Sequence, residues 1–324
     1  MRRIIQPMTA STPRHLILPF ASATSEAAQH TLGALQLPHL EALLAQLQAQ
    51  PVDEGDEYTL SPPHERALAQ ALGWPLQDGL LPWAAQAAQR AGLAPAPGSG
   101  WAWVSPTHWH VGTEQFSLVN PAELQLDEAA SRQAFEAIRP LFEDDGIRLH
   151  WCSPLQWLAE HESLAHLPTA SLDRVIGRNV DLWLGPPEAA RRLRRLQAEA
   201  QMLLHAHPLN EVREAQGLPV INSFWLSGTG ACPQAWQEPV DVVVDERLRG
   251  PLLAEDWAAW ADAWQALDAE LMPPLCAAAK TGQPVVVTLC GERHSQAWAP
   301  GAKPSLWARW WAKKPQASAL LMAL

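Results

Sequence analysis

Apolar positions along this chain fall into two kinds of run, and their order predicts the fold class. Short runs bounded by Pro, Gly or small polar residues read as strands at 15–20 (HLILPF), 101–104, 115–119, 147–151, 181–184, 220–226, 241–244 and 285–289. Apolar residues recurring every three or four positions read as helices. Leu35, Leu37, Leu40, Leu43, Leu44 and Leu47 form one such set. Ala130, Ala134, Ala137, Ile138 and Leu141 place a helix over 127–142, and Trp257, Trp260, Trp264, Leu267 and Leu271 stripe another over 254–272. A long helix over 187–206 is opened by Pro186 and Pro187, and Ser61 precedes two prolines and Glu65 as a helix cap. Residues 92–100 (GLAPAPGSG) form a linker. At 207–230 a His207-Pro208-x-Asn210 corner leads into a short charged helix, a strand and a loop at Gly228-Thr229-Gly230. The order predicts an α/β chain: strands alternating with helices at both ends build a parallel or mixed sheet covered on both faces, and the middle forms an α+β sandwich.

Composition narrows the picture. With 324 residues, 48% apolar and 18% charged, the chain is long and apolar enough for a large globular core. A net charge of −11 argues against nucleic-acid binding, which needs a basic face. Arg2 and Arg3 precede an apolar stretch, but Pro7, Pro13, Arg14 and His15 break it short of signal length. No run approaches the ~18 unbroken apolar residues of a membrane helix, so no membrane partner is expected. Cys152, Cys232, Cys276 and Cys290 are scattered without a C-x-x-C pair, as suits idle thiols in the cytoplasm. Seventeen tryptophans against one tyrosine point to a Trp-filled core or interface.

Candidate chemistry is sparse. His108 and His110 form an H-x-H pair that would face one way on a strand, but no third metal ligand lies near in sequence. His205 and His207 form a second pair at a helix end, where imidazoles cap or ligate. Arg174 and Arg178, with Asp173 and Asn179 around Gly177, suit either an anion-binding loop or an internal salt bridge. Arg213 near Asn210 has the fork geometry for a carboxylate or phosphate. Arg191, Arg192, Arg194 and Arg195 make a basic cluster that either receives an acidic partner or forms pairs such as Arg195–Glu199. Gly228 and Gly230 stand in no Rossmann or Walker signature, and no G-x-S-x-G occurs.

Residues 207–230 (HPLNEVREAQGLPVINSFWLSGTG) resemble the segment by which archaeal-type, cofactor-independent phosphoglycerate mutases re-enter their core. The match falls on His207, Pro208, Asn210, Arg213, Gly217, Pro219, Asn222, Trp225, Gly228 and Gly230. SPPHERALAQALGW, THWHVG, ASLDRVIGRNVDLWL and RRLQAEAQMLLH resemble an uncharacterised proteobacterial family of phosphoglycerate mutase-like, RpfE-type regulatory proteins. The resemblance implies a degenerate alkaline-phosphatase-like α/β core at 1–99 and 216–324, with an inserted α+β cap at 100–215. It also marks a departure. Where such mutases place a metal-binding Asp-Gly after the first strand, this chain has Pro19-Phe20-Ala21-Ser22. Where an Asp-His-x-Thr-Pro-like loop would supply the last ligands, it has Cys290-Gly291-Glu292-Arg293-His294. Metal-assisted phosphoryl transfer needs those carboxylates.

The expectation is therefore a non-catalytic or regulatory protein without metal or cofactor. It would bind a small phosphorylated or carboxylate ligand, or a protein partner, with Arg174, Arg178, His207, Asn210, Arg213, Gly228 and Gly230 as candidate ligand-binding residues. The alternative is an active mutase or phosphatase with a remodelled metal site drawn from His108, His110, His207 or His294. A third reading has Trp307, Trp310 and Trp311 of SLWARWWAKK docking a partner.

Overall fold

The computed structural model describes residues 14–112, 115–185, 190–236, 241–301 and 315–324. The chain begins with β1 (His15–Leu18), α1 (Glu26–Ala34), α2 (Pro38–Leu44), β2 (Gln48–Ala49), α3 (Pro63–Ala71) and α4 (Trp83–Arg90). It continues through β3 (Gly100–Thr107), β4 (Trp109–Val111), β5 (Phe116–Leu118), α5 (Glu128–Asp144), β6 (Arg148–Ser153), β7 (Gln156–Glu160), α6 (Leu172–Val175), α7 (Arg191–His205) and α8 (Pro208–Ala215). The last part holds β8 (Ser223–Ala231), β9 (Val242–Val244), α9 (Arg249–Leu253), α10 (Trp257–Glu270), α11 (Met272–Lys280), β10 (Val286–Cys290), β11 (Ser295–Ala299) and α12 (Ala317–Met322). The expected α/β class holds. The molecule divides into two compact units: one of residues 58–61 and 74–237, the other of 4–57, 62–73 and 238–324, each among the described residues.

The second unit is built on a mixed five-stranded sheet in the order β2-β11-β10-β1-β9. β1 runs parallel to both β10 and β9, while β11 turns back antiparallel to β10. The apolar run at 15–18 is continuous because both faces of β1 are covered. Leu16 and Leu18 point into a core with α1, α2, α10 and α11, whereas Ile17 packs with Ala67 of α3 on the opposite face. The tryptophan stripe of α10 supplies that core, with Trp260 and Trp264 fully buried. Asp268 on α10 is buried and accepts from the backbone N–H groups of His39 (3.2 Å) and Leu40 (2.7 Å) at the start of α2, with His39 Nδ1 at 2.9 Å. The carboxylate thus caps a helix whose own flanking residue, Leu37, offers no side-chain oxygen.

The first unit carries an antiparallel sheet in the order β6-β7-β3-β8 and a two-stranded ribbon, β4-β5. Strand alternation sorts its faces. Ala102, Val104, Trp157, Ala159, Phe224 and Leu226 face a core with α5 and α7. Trp101 and Leu158 face α4 through Ala84, Ala85 and Ala88. Residues 74–99 and 216–237 belong to this unit together with 100–215, because β8 pairs along β3 from Thr107↔Ser223 to Gly100↔Ala231.

Two sequence expectations change. Residues 180–183 form a 3-10 helix rather than a strand: the Asn179 side chain accepts from Asp181 N and turns the chain there. Gly228-Thr229-Gly230 is not a loop but the second half of β8. All four cysteines are free, three of them buried and Cys152 exposed on the edge strand β6. Among the described residues no helix is long and apolar enough to cross a membrane.

His15 opens β1 with its Nε2 2.8 Å from Thr288 Oγ1, and burial pushes its imidazole down to about 4. The unfolded chain, with an ordinary histidine, binds the proton more readily. The contribution is therefore fully present above about pH 6.5 and is lost as pH falls from there toward 4. Urea unfolding of wild type should lose up to about 3 kcal/mol over that window beyond the loss seen in His15→Gln; parallel curves for the two proteins would refute the assignment.

Candidate functional site

The candidate residues occupy three separate parts of the first unit. The His207 corner is a capping device. The His207 side chain accepts from Leu209 N at 3.2 Å, and Pro208 fills the first position of α8, where a missing N–H costs nothing. One turn on, the buried Asn210 amide donates to Leu204 O (2.8 Å) and Ile221 O (2.7 Å), while its oxygen accepts from Ile221 N (2.9 Å). It thereby ties the end of α7 to the approach of β8. Arg213, also buried, donates from Nε to Pro219 O at 2.9 Å and from Nη2 to Leu124 O. Burial pushes its guanidinium below the ordinary range, opposed by the charge of Asp127. In this arrangement the two side chains direct their strongest donors at backbone carbonyls.

The glycines sit at the far end of β8. Gly228 has φ +64°, and a Cβ there would lie 2.8 Å from the Trp103 ring. At Gly230, φ +145°, it would lie 2.9 Å from Leu80 O. Both positions need glycine for close packing within the unit.

The third part is the segment from α6 through the 3-10 helix. Ser171 caps α6. Arg174 is buried and donates from Nε to Thr59 O at 2.8 Å. Its guanidinium carbon stands 5.1 Å from the Trp183 ring centroid, and that of Arg178 stands 5.8 Å from the same ring. Two guanidinium groups therefore flank one indole. Leu118 and Ser117 of β5 bridge to Ile176 and Asn179, which holds the segment in place. Sequence reading picked the two arginines but missed Trp183, whose only signal was an aromatic residue five positions beyond Arg178.

The histidine pairs do not assemble. His108 Nδ1 lies 2.9 Å from Val220 O in the gap between β3 and β4, while His110 is exposed on β4. His205 is exposed at the end of α7. In the arginine cluster, Asp145 takes both Arg192 and Arg195, which hold its carboxyl below the usual range. The segment with Trp307, Trp310 and Trp311 lies outside the described residues.

In the second unit, the parallel strands β1 and β10 end together, the edge at which open α/β sheets place ligands. Glu292 accepts from Thr24 N (3.0 Å) and Thr24 Oγ1 (2.6 Å). His294 Nδ1 accepts from Gly55 N at 3.3 Å. Arg66 of α3 pairs through Nε with Asp53 Oδ2 at 2.7 Å and donates from Nη2 to Arg293 O at 3.3 Å, and Arg293 pairs with Glu57. After β9, Asp245 accepts from both N and Nε of Arg247, which also meets Glu270. Each of these charged groups meets a partner within its own unit. Among the described residues no three His, Cys, Asp or Glu side chains gather as metal ligands do.

No family model matches the chain, and no curated protein matches it. Among solved structures, the cofactor-independent phosphoglycerate mutase from Thermoplasma acidophilum DSM 1728 is similar at 14% identity. That comparison covers 96% of this chain and 98% of the other, with a TM-score of 0.36. The PH0037 protein from Pyrococcus horikoshii is similar at 12% identity, over 90% of this chain and 88% of that one, with a TM-score of 0.43.

Asn210→Ala removes two donations and strands the buried Ile221 N–H. It should destabilise the protein by about 2–4 kcal/mol in urea unfolding. Unchanged stability would contradict the structural role assigned to this side chain.

Proposed function

We propose that this chain is a non-catalytic, phosphomutase-like module of the cytoplasm that binds a small phosphorylated or carboxylate ligand. The observation that carries the first half is the engagement of Asp53, Glu57, Glu292 and His294 with partners of their own unit at the carboxyl ends of β1 and β10. A carboxylate already accepting from a guanidinium or an amide is a poor recruit for a divalent cation, and phosphoryl transfer in the resembled family rests on a caged pair of such cations. The sequence resemblance at 207–230 supports the ancestry. Four thiols without a disulfide support the compartment.

The ligand half rests on Arg174 and Arg178 around Trp183. Guanidinium groups recognise phosphate and carboxylate through paired N–H donors, and an aromatic face keeps them oriented. Of the seven candidate residues these two carry the proposal. His207, Asn210, Arg213, Gly228 and Gly230 enter it as the frame that holds β8 and α8.

Purified protein supplied with Mg2+, Mn2+ or Zn2+ should interconvert neither phosphoglycerate isomer and should not hydrolyse p-nitrophenyl phosphate. Calorimetry should detect 3-phosphoglycerate or a related acid, with affinity reduced roughly tenfold or more in Arg178→Gln. Metal-dependent turnover that disappears in Glu292→Gln would overturn the non-catalytic reading. Titrations without heat for every phosphorylated acid tried would overturn the ligand reading.

A further inference from the structure

Exposed side chains usually turn freely, but the ring of His39 is held. His39 is the second residue of α2, and its side chain is 50% exposed. Three contacts pin the residue. Nδ1 lies 2.9 Å from Asp268 Oδ2, the backbone N donates to the same oxygen at 3.2 Å, and the backbone O accepts from Cys276 Sγ of α11 at 3.5 Å. The Asp268 side chain is only 6% exposed, and its other oxygen accepts from Leu40 N at 2.7 Å. All these residues belong to the second unit, where α2 packs on both α10 and α11.

This arrangement settles where the ring carries its proton. The carboxylate can only accept, so Nδ1 donates to it and the neutral imidazole keeps its lone pair on Nε2. The Nδ1 edge faces a buried group, so the exposed half of the ring is the side that carries Nε2. Among the described residues that nitrogen has no hydrogen-bond partner. Other histidines differ. His15 and His150 turn Nε2 inward, onto Thr288 Oγ1 and toward Glu160. His110 and His205 are exposed, and among the described residues no carboxylate orients either ring. A fixed tautomer, an outward lone pair and a buried carboxylate behind the ring make His39 a nucleophile aimed at solvent. Bond formation at Nε2 puts positive charge on the ring, and Asp268 stands where it offsets that charge. An electrophile that suits this atom must be small and must need no enclosing pocket. An activated phosphoryl group is both.

We propose that His39 Nε2 is a phosphoryl-accepting modification site whose donor is an acyl phosphate. The Nε2 lone pair forms the N–P bond as the P–O bond to the acyl group breaks, and that electron pair leaves on a carboxylate. The Nδ1 proton stays between the ring and Asp268. Because the phosphoryl group joins the outer nitrogen, the cap that Asp268 makes on α2 survives the modification. An N–P bond is itself reactive, which is why the donor has to be an activated one. Asp268 is a positioning residue here. The site belongs to a different unit from Arg174 and Arg178 and stands independently of the ligand reading.

The test is incubation of the full chain with acetyl phosphate, with modified peptides mapped by mass spectrometry under conditions that preserve N–P bonds. His39 should be labelled about tenfold faster than His110 and His205. In Asp268→Asn the rate at His39 should fall to that of the other two, whose rates should not move. Unfolding wild type in urea should erase the difference as well, and that measurement replaces the variant if Asp268→Asn fails to fold. Labelling of His39 no faster than of His110 and His205 refutes the site. A fast rate at His39 that persists in folded Asp268→Asn, or in urea, refutes the role of the carboxylate and the proposal with it.

Discussion

The side-chain amide of Asn210 is the constraint on which the first unit turns. A primary amide can donate and accept at once, and here it does both toward the same residue, Ile221, while also reaching Leu204. Those contacts set where the chain leaves α8 and therefore the register in which β8 meets β3. With that register, Ser223 falls opposite Thr107 and Trp225 opposite Ser105. Arg213 reinforces the same closure by gathering the carbonyls of Pro219 and Leu124. A buried guanidinium bonded to carbonyls has formed charge-assisted bonds without the rigidity of a carboxylate pair. The polar residues of this corner are thus folding hardware.

The second unit depends on a different kind of interaction. The parallel strands β1 and β10 deliver loops to one edge, where Asp53 meets Arg66 of α3, Glu292 meets Thr24 and the His294 ring accepts from Gly55 N. Arg66 is the hinge of that arrangement, because its guanidinium touches both the Asp53 carboxylate and the loop carbonyl of Arg293. The guanidinium is buried while the Asp53 carboxylate is 35% exposed, so removing the carboxylate would strand the buried charge.

Elements buried on both faces were legible in the sequence, since an apolar run such as HLIL or VVTLC can only be satisfied by cover on each side. So was α10, whose tryptophans keep helical spacing. What eluded sequence reading depended on partners distant along the chain. β7 (QWLAE) and β11 (SQAWA) have too little alternation to stand out, and each is a strand because a neighbour offers a ladder. The glycines of β8 look like a turn until Trp103 and Leu80 are known to press against them. Asn179 makes a 3-10 turn of a segment whose apolar pattern suits a strand equally well. At the candidate site, the arginines announced themselves by charge, and His207 and Pro208 by their capping grammar.

The distribution of the thiols has a practical corollary. Cys232, Cys276 and Cys290 are enclosed, and burial pushes each of them away from the reactive thiolate form, whereas Cys152 alone reaches solvent, on the outer strand of the first unit's sheet. The native chain therefore carries a single address for a maleimide dye or spin label, with no engineering needed. Partial burial raises the Cys152 thiol as well, so conjugation proceeds best in mildly alkaline buffer. A probe placed there would report on the β6 edge.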